Sequence, residues 1–362
     1  MDRYRPRLRR PPTRRTFLAR GLLAACLALL AALPGVAAPP RALAACSLHN
    51  PLIAGADPSV WYANGSYYLA QSDGTTIVLR AAPTVGGLAS AAPHTVWTPP
   101  SGTDHSAQVW APEIENLNGQ WIIYFAAATD KGSFNATNNM HRLFALTATS
   151  GNPLGAWSFF GKVQDPTNEW AIDPTVFTYN GAWYELWSGT SPGNGGTAPQ
   201  QLYIAHMHDP LHVDDAYRKL IANPDQSWET SRAAIEEGPE AFIAPTGQLT
   251  IVYSANASWT TAYTLGELRY NGGNIESYTG YAKAGPVFAS GGGVYGPGHV
   301  SLPVPGPNGH LWLVYHAKTQ QADGWDDRKI FAQPQVWNGN GTPSFGSPAG
   351  AISFDEQTQQ AC

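Results

Sequence analysis

The chain has 362 residues, of which 13% are charged, 11% aromatic and 43% hydrophobic, with 37 Gly, 30 Pro, 13 Trp and 16 Tyr. The aromatic and apolar content excludes a disordered chain, the scarcity of charge argues against a helical bundle, and the Gly and Pro load points to many short strands joined by turns. The net charge of −5 hides an asymmetry: residues 1–44 hold nine of the 21 basic residues and one acid, leaving 12 basic and 25 acidic residues, net −13, in the remainder. A body this acidic disfavours nucleic acid or an anionic membrane, so neither is expected as a partner, and it accommodates a neutral substrate.

Residues 1–44 read as an export signal. Thr13-Arg14-Arg15-Thr16-Phe17-Leu18 has the form of a twin-arginine signal. The apolar run from Gly21 to Leu33 is too short to span a bilayer comfortably, and Ala42-Leu43-Ala44 fits a small-x-small cleavage site. An ordinary secretory leader with a chance arginine pair is the alternative. On either reading the mature chain, residues 45–362, is expected to be secreted. Cys26 falls in the leader, and Cys46 and Cys362 stand at the two ends of the mature chain, which suggests one disulfide in an oxidising compartment. Leu43-Ala44-Ala45-Cys46 could instead be a lipid-attachment box, but Pro39, Pro40 and Arg41 interrupt the apolar run such a box needs.

The mature chain repeats one pattern five times: a polar marker, a short apolar strand, a Gly turn and an aromatic-rich strand. Asp57-Pro58-Ser59-Val60-Trp61 begins the first copy and Trp110-Ala111-Pro112-Glu113-Ile114 the second. Asp173-Pro174-Thr175-Val176-Phe177, Glu237-Gly238-Pro239-Glu240-Ala241 and Gly298-His299-Val300-Ser301-Leu302 begin the other three. The turn glycines Gly65, Gly119, Gly181, Gly247 and Gly309 lie 54 to 66 residues apart. Asn-Gly between apolar runs is a strong hairpin signal, and each period leaves room for about four strands, one propeller blade. The reading is all-β: a single-domain five-bladed β-propeller over residues 45–362. A β-sandwich of similar length would not explain so regular a repeat.

In a propeller, residues opening the innermost strands converge at one mouth of the central channel. Asp57, Glu113, Asp173, Glu237 and His299 are the openers on this alignment. Asp-Pro is a common turn cap taken singly, but turn capping does not require five polar residues in register. Several carboxyls in a mouth with aromatic residues suit sugar chemistry: rings stack on sugars, and crowded acids move each other's pKa apart to give a general acid and a general base. Trp61, Trp110, Trp170, Trp187 and Tyr295 are the aromatic candidates.

Gly55-Ala56-Asp57-Pro58-Ser59-Val60, Trp110-Ala111-Pro112-Glu113, Ile172-Asp173-Pro174, Glu237-Gly238-Pro239 and Gly296-Pro297-Gly298-His299 resemble, in order and spacing, the motifs of glycoside hydrolase family 43. The resemblance spans essentially the whole mature chain. It implies a five-bladed propeller that inverts anomeric configuration. By position, Asp57 matches the general base, Asp173 the acid that orients the catalytic acid and modulates its pKa, and Glu237 the general acid. Glu237 is chosen over its neighbours Glu236 and Glu240 because it directly precedes Gly-Pro. His299 resembles an axial histidine that helps hold a central metal ion, often calcium, through water, and no organic cofactor is expected. Arg328 resembles an arginine that touches substrate; Trp110, Glu113, Trp187 and Tyr295 are the further substrate-binding candidates.

The wider segments are most similar to the exo-acting α-1,5-L-arabinofuranosidases of the family. The implied substrate is plant cell-wall arabinan or arabino-oligosaccharide, cleaved by a monomer. Endo-arabinanase and β-xylosidase activity are the alternatives within the family. Outside it, a sugar-binding propeller would use the same aromatics without needing Asp57, Asp173 and Glu237 together.

Overall fold

The computed structural model describes residues 46–362, so the expected export leader lies outside the described residues. Five antiparallel sheets, four of four strands and one of five, follow one another along the chain. Blade 1 runs from Ser59–Ala63 to His94–Trp97, and blade 2 from Ala107–Leu117 to Trp157–Lys162. Blade 3 begins with Ala171–Tyr179, and its outer edge is split between His212–Val213 and Lys219–Ala222. Blade 4 runs from Glu236–Ile243 to Tyr281–Phe288. Blade 5 takes three strands, Tyr295–Pro305, Leu311–Lys318 and Arg328–Pro334, from the end of the chain. Its fourth, Ile53–Ala54, comes from the beginning.

That borrowed strand closes the ring. Outside it, Leu48–His49 pairs with Ser353–Phe354, and a Cys46–Cys362 disulfide joins residues 316 apart in sequence. The bridge uses Cys46, so the lipid reading of that residue does not hold. The hydrophobic core lies between blades: Leu69, Trp312 and Val314 pack between the first and last, and Leu79, Ile123 and Phe125 between the first and second. Each such side chain contributes about 1.5–3 kcal/mol by leaving water, so truncating one of them opens a seam between two sheets.

The first three hairpins turn as the sequence suggested. Asn64-Gly65, Asn118-Gly119 and Asn180-Gly181 have positive φ at both positions, the geometry that matches strand twist. The fourth turn needs it only at Gly247, and the fifth is a short 3₁₀ turn over Pro307–Gly309.

The inner strands repeat a kink that the sequence alignment placed wrongly. Asp57, Ala111, Asp173, Gly238 and His299 all adopt left-handed φ, between 43° and 55°. In the first four the next residue is proline, which has no N–H to give a ladder, and pairing lapses around the kink in blades 2 to 5. The matching positions are therefore 57, 111, 173, 238 and 299. Only Asp57, Asp173 and His299 of the expected openers share that place. Glu237 stands one residue before the kink and Glu113 two residues after it, in register with Ser59, Thr175, Glu240 and Ser301. Residues two past the kink tie blades together: Ser59 Oγ accepts the Ile114 N–H and Ser301 Oγ accepts the Val60 N–H, both at 3.0 Å.

Candidate active site

The kinks narrow the axis. Pro58, Pro112, Pro174, Pro239 and His299 surround a space of about 10 Å³, room for one water. At the start of the inner strands the channel widens into a cavity of about 440 Å³. Asp57, Asp173, Glu237, His299, Arg328 and Trp110 all line it. Its walls are aromatic on more than one side: Trp110 stacks on His141 with centroids 4.0 Å apart and lies 6.1 Å from Phe134. Trp259 and Trp325 meet at 4.7 Å, with the Arg328 guanidinium 5.0 Å from the Trp325 ring.

Three side chains converge on Asp57 Oδ1: His316 Nδ1 at 3.1 Å, His299 Nδ1 at 3.4 Å and Arg328 Nη1 at 3.5 Å. Burial pushes the Asp57 carboxyl up, but these neighbours outweigh it and hold it well below the usual carboxylate range. His299 is itself pushed down by burial, and His316 is pushed down to about 4 for the same reason. Arg328 is therefore the permanent charge that keeps Asp57 ionised. His316 Nδ1 lies 3.1 Å from both the Asp57 backbone nitrogen and Oδ1, and its tautomer sets which of the two it bonds: it accepts the N–H when bare and donates to the carboxylate when protonated.

Glu237 has the opposite environment. Burial raises its carboxyl to about 7, helped by the nearby charge of Asp57 and opposed by a hydrogen bond from the Tyr263 hydroxyl to Oε1 at 2.9 Å. Asp173 is also pushed well up, by burial first and then by the charges of Glu237 and Asp57. Its Oδ2 accepts the Gly238 N–H at 2.9 Å, which fixes the backbone immediately after Glu237. One cavity thus holds a carboxylate that stays ionised and a carboxylic acid that keeps its proton near neutrality, the combination a general base and general acid need.

Three expected substrate-binding residues lie elsewhere. Trp187 is fully buried, stacked on Tyr203 and covered by the Arg218 guanidinium. Its alternation within Ala182–Thr190 turns it into the packing between blades 2 and 3. Glu113, carried past the kink, lines a separate cavity of about 250 Å³ further along the channel with Glu115, Glu240 and Trp61. Its carboxyl is pushed up to about 8 by burial. Tyr295 is absent from the catalytic cavity's lining, and its hydroxyl accepts a hydrogen bond from Gln321 at 3.1 Å. Trp170 lines the cavity but is almost wholly buried, its indole N–H donating to the Asn138 carbonyl at 2.8 Å.

Sequence reasoning missed His316, Tyr263, Ser258, Trp259 and Phe134. His316 lies within the largely apolar strand Leu311–Lys318, outside the repeated motif. The others sit on or beside loops between strands, where the repeat carries no register. Glu236 points away from the cavity, paired with Lys283 at 2.6 Å, and Glu240 lines the separate cavity with Glu113.

Among the described residues no three His, Cys, Asp or Glu side chains converge to hold a metal ion. A cation beside His299 would take one protein nitrogen and water for the rest of its shell. That is a sparse site for calcium, which prefers oxygen.

Residues 48–343 match the family described as Glycosyl hydrolases family 43. The chain is 33% identical over 308 residues to an extracellular exo-α-(1→5)-L-arabinofuranosidase of Streptomyces avermitilis, covering 81% of this chain but 62% of that relative. It is 32% identical over 317 residues to an enzyme of the same name from Streptomyces chartreusis, covering 85% and 92%. A crystal structure of α-L-arabinofuranosidase from Lactobacillus brevis superposes with a TM-score of 0.76 at 31% identity, covering 84% of this chain and 98% of that one. The propeller, the carboxyl-lined mouth and these likenesses agree: the chain belongs to glycosyl hydrolase family 43.

Proposed function

We propose that the protein is an inverting, exo-acting α-L-arabinofuranosidase that releases L-arabinofuranose from α-1,5-linked arabinan or arabino-oligosaccharides. The observation that carries the catalytic reading is the opposed protonation of Asp57 and Glu237 in one cavity. The linkage and the exo mode come from the relatives' names.

In this reading Asp57, ionised beside Arg328, accepts a proton from a water as its oxygen attacks the anomeric carbon. Glu237 gives its proton to the departing glycosidic oxygen, so the sugar leaves as a neutral alcohol. The product has inverted configuration and one water is consumed. Asp173 acts through the Gly238 N–H to hold Glu237 in place. Trp110 and the Trp259–Trp325 pair offer faces for a sugar ring, and Arg328 offers donors to its hydroxyls. A water-held cation at His299 would add positive charge beside the aspartates, and no step depends on it.

Among the described residues no helix is long and apolar enough to cross a membrane. The arginine-rich leader and the Cys46–Cys362 bridge support secretion. Incubation with linear arabino-oligosaccharides tests the activity: arabinose released singly from one end supports it, and a ladder of internal fragments favours the endo-arabinanase reading.

A further inference from the structure

Tyr263 is fully buried beneath the cavity, just before the strand Thr264–Tyr270. Its ring lies flat on His316, 3° from parallel with centroids 5.4 Å apart, and its hydroxyl reaches Glu237 Oε1 at 2.9 Å. The ring needs a glycine at 298: a Cβ there would sit 2.3 Å from Tyr263 Cε1. The Gly296-Pro297-Gly298-His299 stretch thus makes room for this tyrosine. Ser254 lies beside the Tyr263 hydroxyl and accepts the His299 N–H at 2.7 Å. Tyr263 therefore touches the carboxyl of Glu237 on one side and, on the other, the imidazole that contacts Asp57.

A protonated carboxylic acid has one O–H, and an oxygen already accepting a hydrogen bond keeps its lone pairs for that bond. We propose that Tyr263 is a positioning residue that engages Glu237 Oε1, so that Oε2 carries the proton delivered to the leaving oxygen. The proposal rests on Glu237 being the general acid. The groups facing Glu237 are Tyr263, Ser258, Asp57, Arg328 and Asp173. Tyr263 holds Oε1 at 2.9 Å, and Ser258 is a second, weaker hydrogen-bonding neighbour of the carboxyl. The phenol stays protonated, since burial and the charge of Glu237 both push its pKa well up.

Tyr263→Phe keeps the ring and its stack on His316 and deletes the donor. On arabino-oligosaccharides, whose leaving group needs a proton, kcat should fall roughly tenfold to a hundredfold, the scale of one hydrogen bond to a charged group. On an aryl α-L-arabinofuranoside with an activated phenol, kcat should change little. The alkaline limb of the pH profile should move upward, because the lost bond favoured the carboxylate. Placing 3-fluorotyrosine at 263, a stronger donor, should move it downward. An equal loss on both substrates, no loss on the oligosaccharide, or an alkaline limb unmoved in both variants would overturn the proposal. Glu237→Gln run alongside separates the two claims. If it lacks leaving-group dependence, the acid assignment falls and Tyr263 with it. If it shows the dependence and Tyr263→Phe does not, only the role of Tyr263 falls.

Discussion

Asp173 Oδ2 accepts the Gly238 N–H at 2.9 Å, so a carboxyl at the kink of blade 3 fixes the backbone at the kink of blade 4. The contact joins two left-handed residues, at φ 55° and 52°. It places Glu237 without touching its side chain.

Removing that acceptor should cost both stability and turnover. Asp173→Ala leaves the buried Gly238 N–H without a partner, a penalty of about 1–3 kcal/mol, and frees the chain beside Glu237. The melting temperature and kcat should fall together. Asp173→Asn keeps an oxygen for Gly238 and should preserve more of the melting temperature while altering the pH profile. Thermal unfolding and kcat against pH distinguish the two, and an Asp173→Ala variant unchanged in both would contradict the role.

The pH profile follows from the opposed carboxyls. In the proposed mechanism Asp57 acts as a carboxylate and stays ionised far into acid. Glu237 acts there as the protonated acid, and its carboxyl is raised to about 7. Activity on arabino-oligosaccharides should therefore decline as pH rises through about 7. The same shift affects folding. A carboxyl raised in the folded state binds a proton that the unfolded chain has released, so its stabilising effect, full below about 4.5, is lost as pH rises through about 7. Glu237→Gln should melt above the wild type at pH 8, and the gap should narrow toward pH 4.5. Melting curves at the two pH values check this; a constant gap would contradict it.

The seam is reinforced covalently. The Cys46–Cys362 bridge closes a loop over a sequence separation of 316. The loop-entropy relation gives such a bridge on the order of 5 kcal/mol, as an upper figure. Cys46→Ser should lower the melting temperature of the oxidised protein and match the reduced wild type. Equal melting of oxidised wild type and variant would show that Ile53–Ala54 and Leu48–His49 hold the seam unaided.

Two tryptophans separate packing from binding. Trp187→Ala should cost about 3–5 kcal/mol of stability, as large core truncations do, with KM nearly unchanged. Trp110→Ala, in the cavity wall, should raise KM with a smaller change in melting. Steady-state kinetics with thermal unfolding on both variants decides between the two roles, and a raised KM for Trp187→Ala alone would reverse them.

The propeller was legible because the Asn-Gly hairpins recur at blade-length intervals, and Asp57, Asp173 and Glu237 because polar residues beside Gly-Pro or Pro interrupt apolar strands. Register within the kink was not legible. Ala111 and Gly238 occupy the same backbone place as Asp57 and Asp173 but carry no polar mark, whereas Glu113 and Glu237 close by do. A two-residue slip carried Glu113 out of the mouth and down the channel. Trp187 was misplaced because composition counts aromatics without saying which side of a strand they face. His316 and Tyr263 stayed hidden because their neighbours in sequence are apolar, and their partners lie across strands and blades.

In the proposed reaction Asp57 activates water for direct displacement while Glu237 supplies the proton. Following arabino-oligosaccharide hydrolysis by proton NMR from the first turnovers tests it most directly. Arabinose should first appear as the β-anomer, and Asp57→Asn and Glu237→Gln should each lower kcat by about 10²–10⁴-fold on this substrate. First appearance of the α-anomer would contradict it and make a carboxylate the nucleophile.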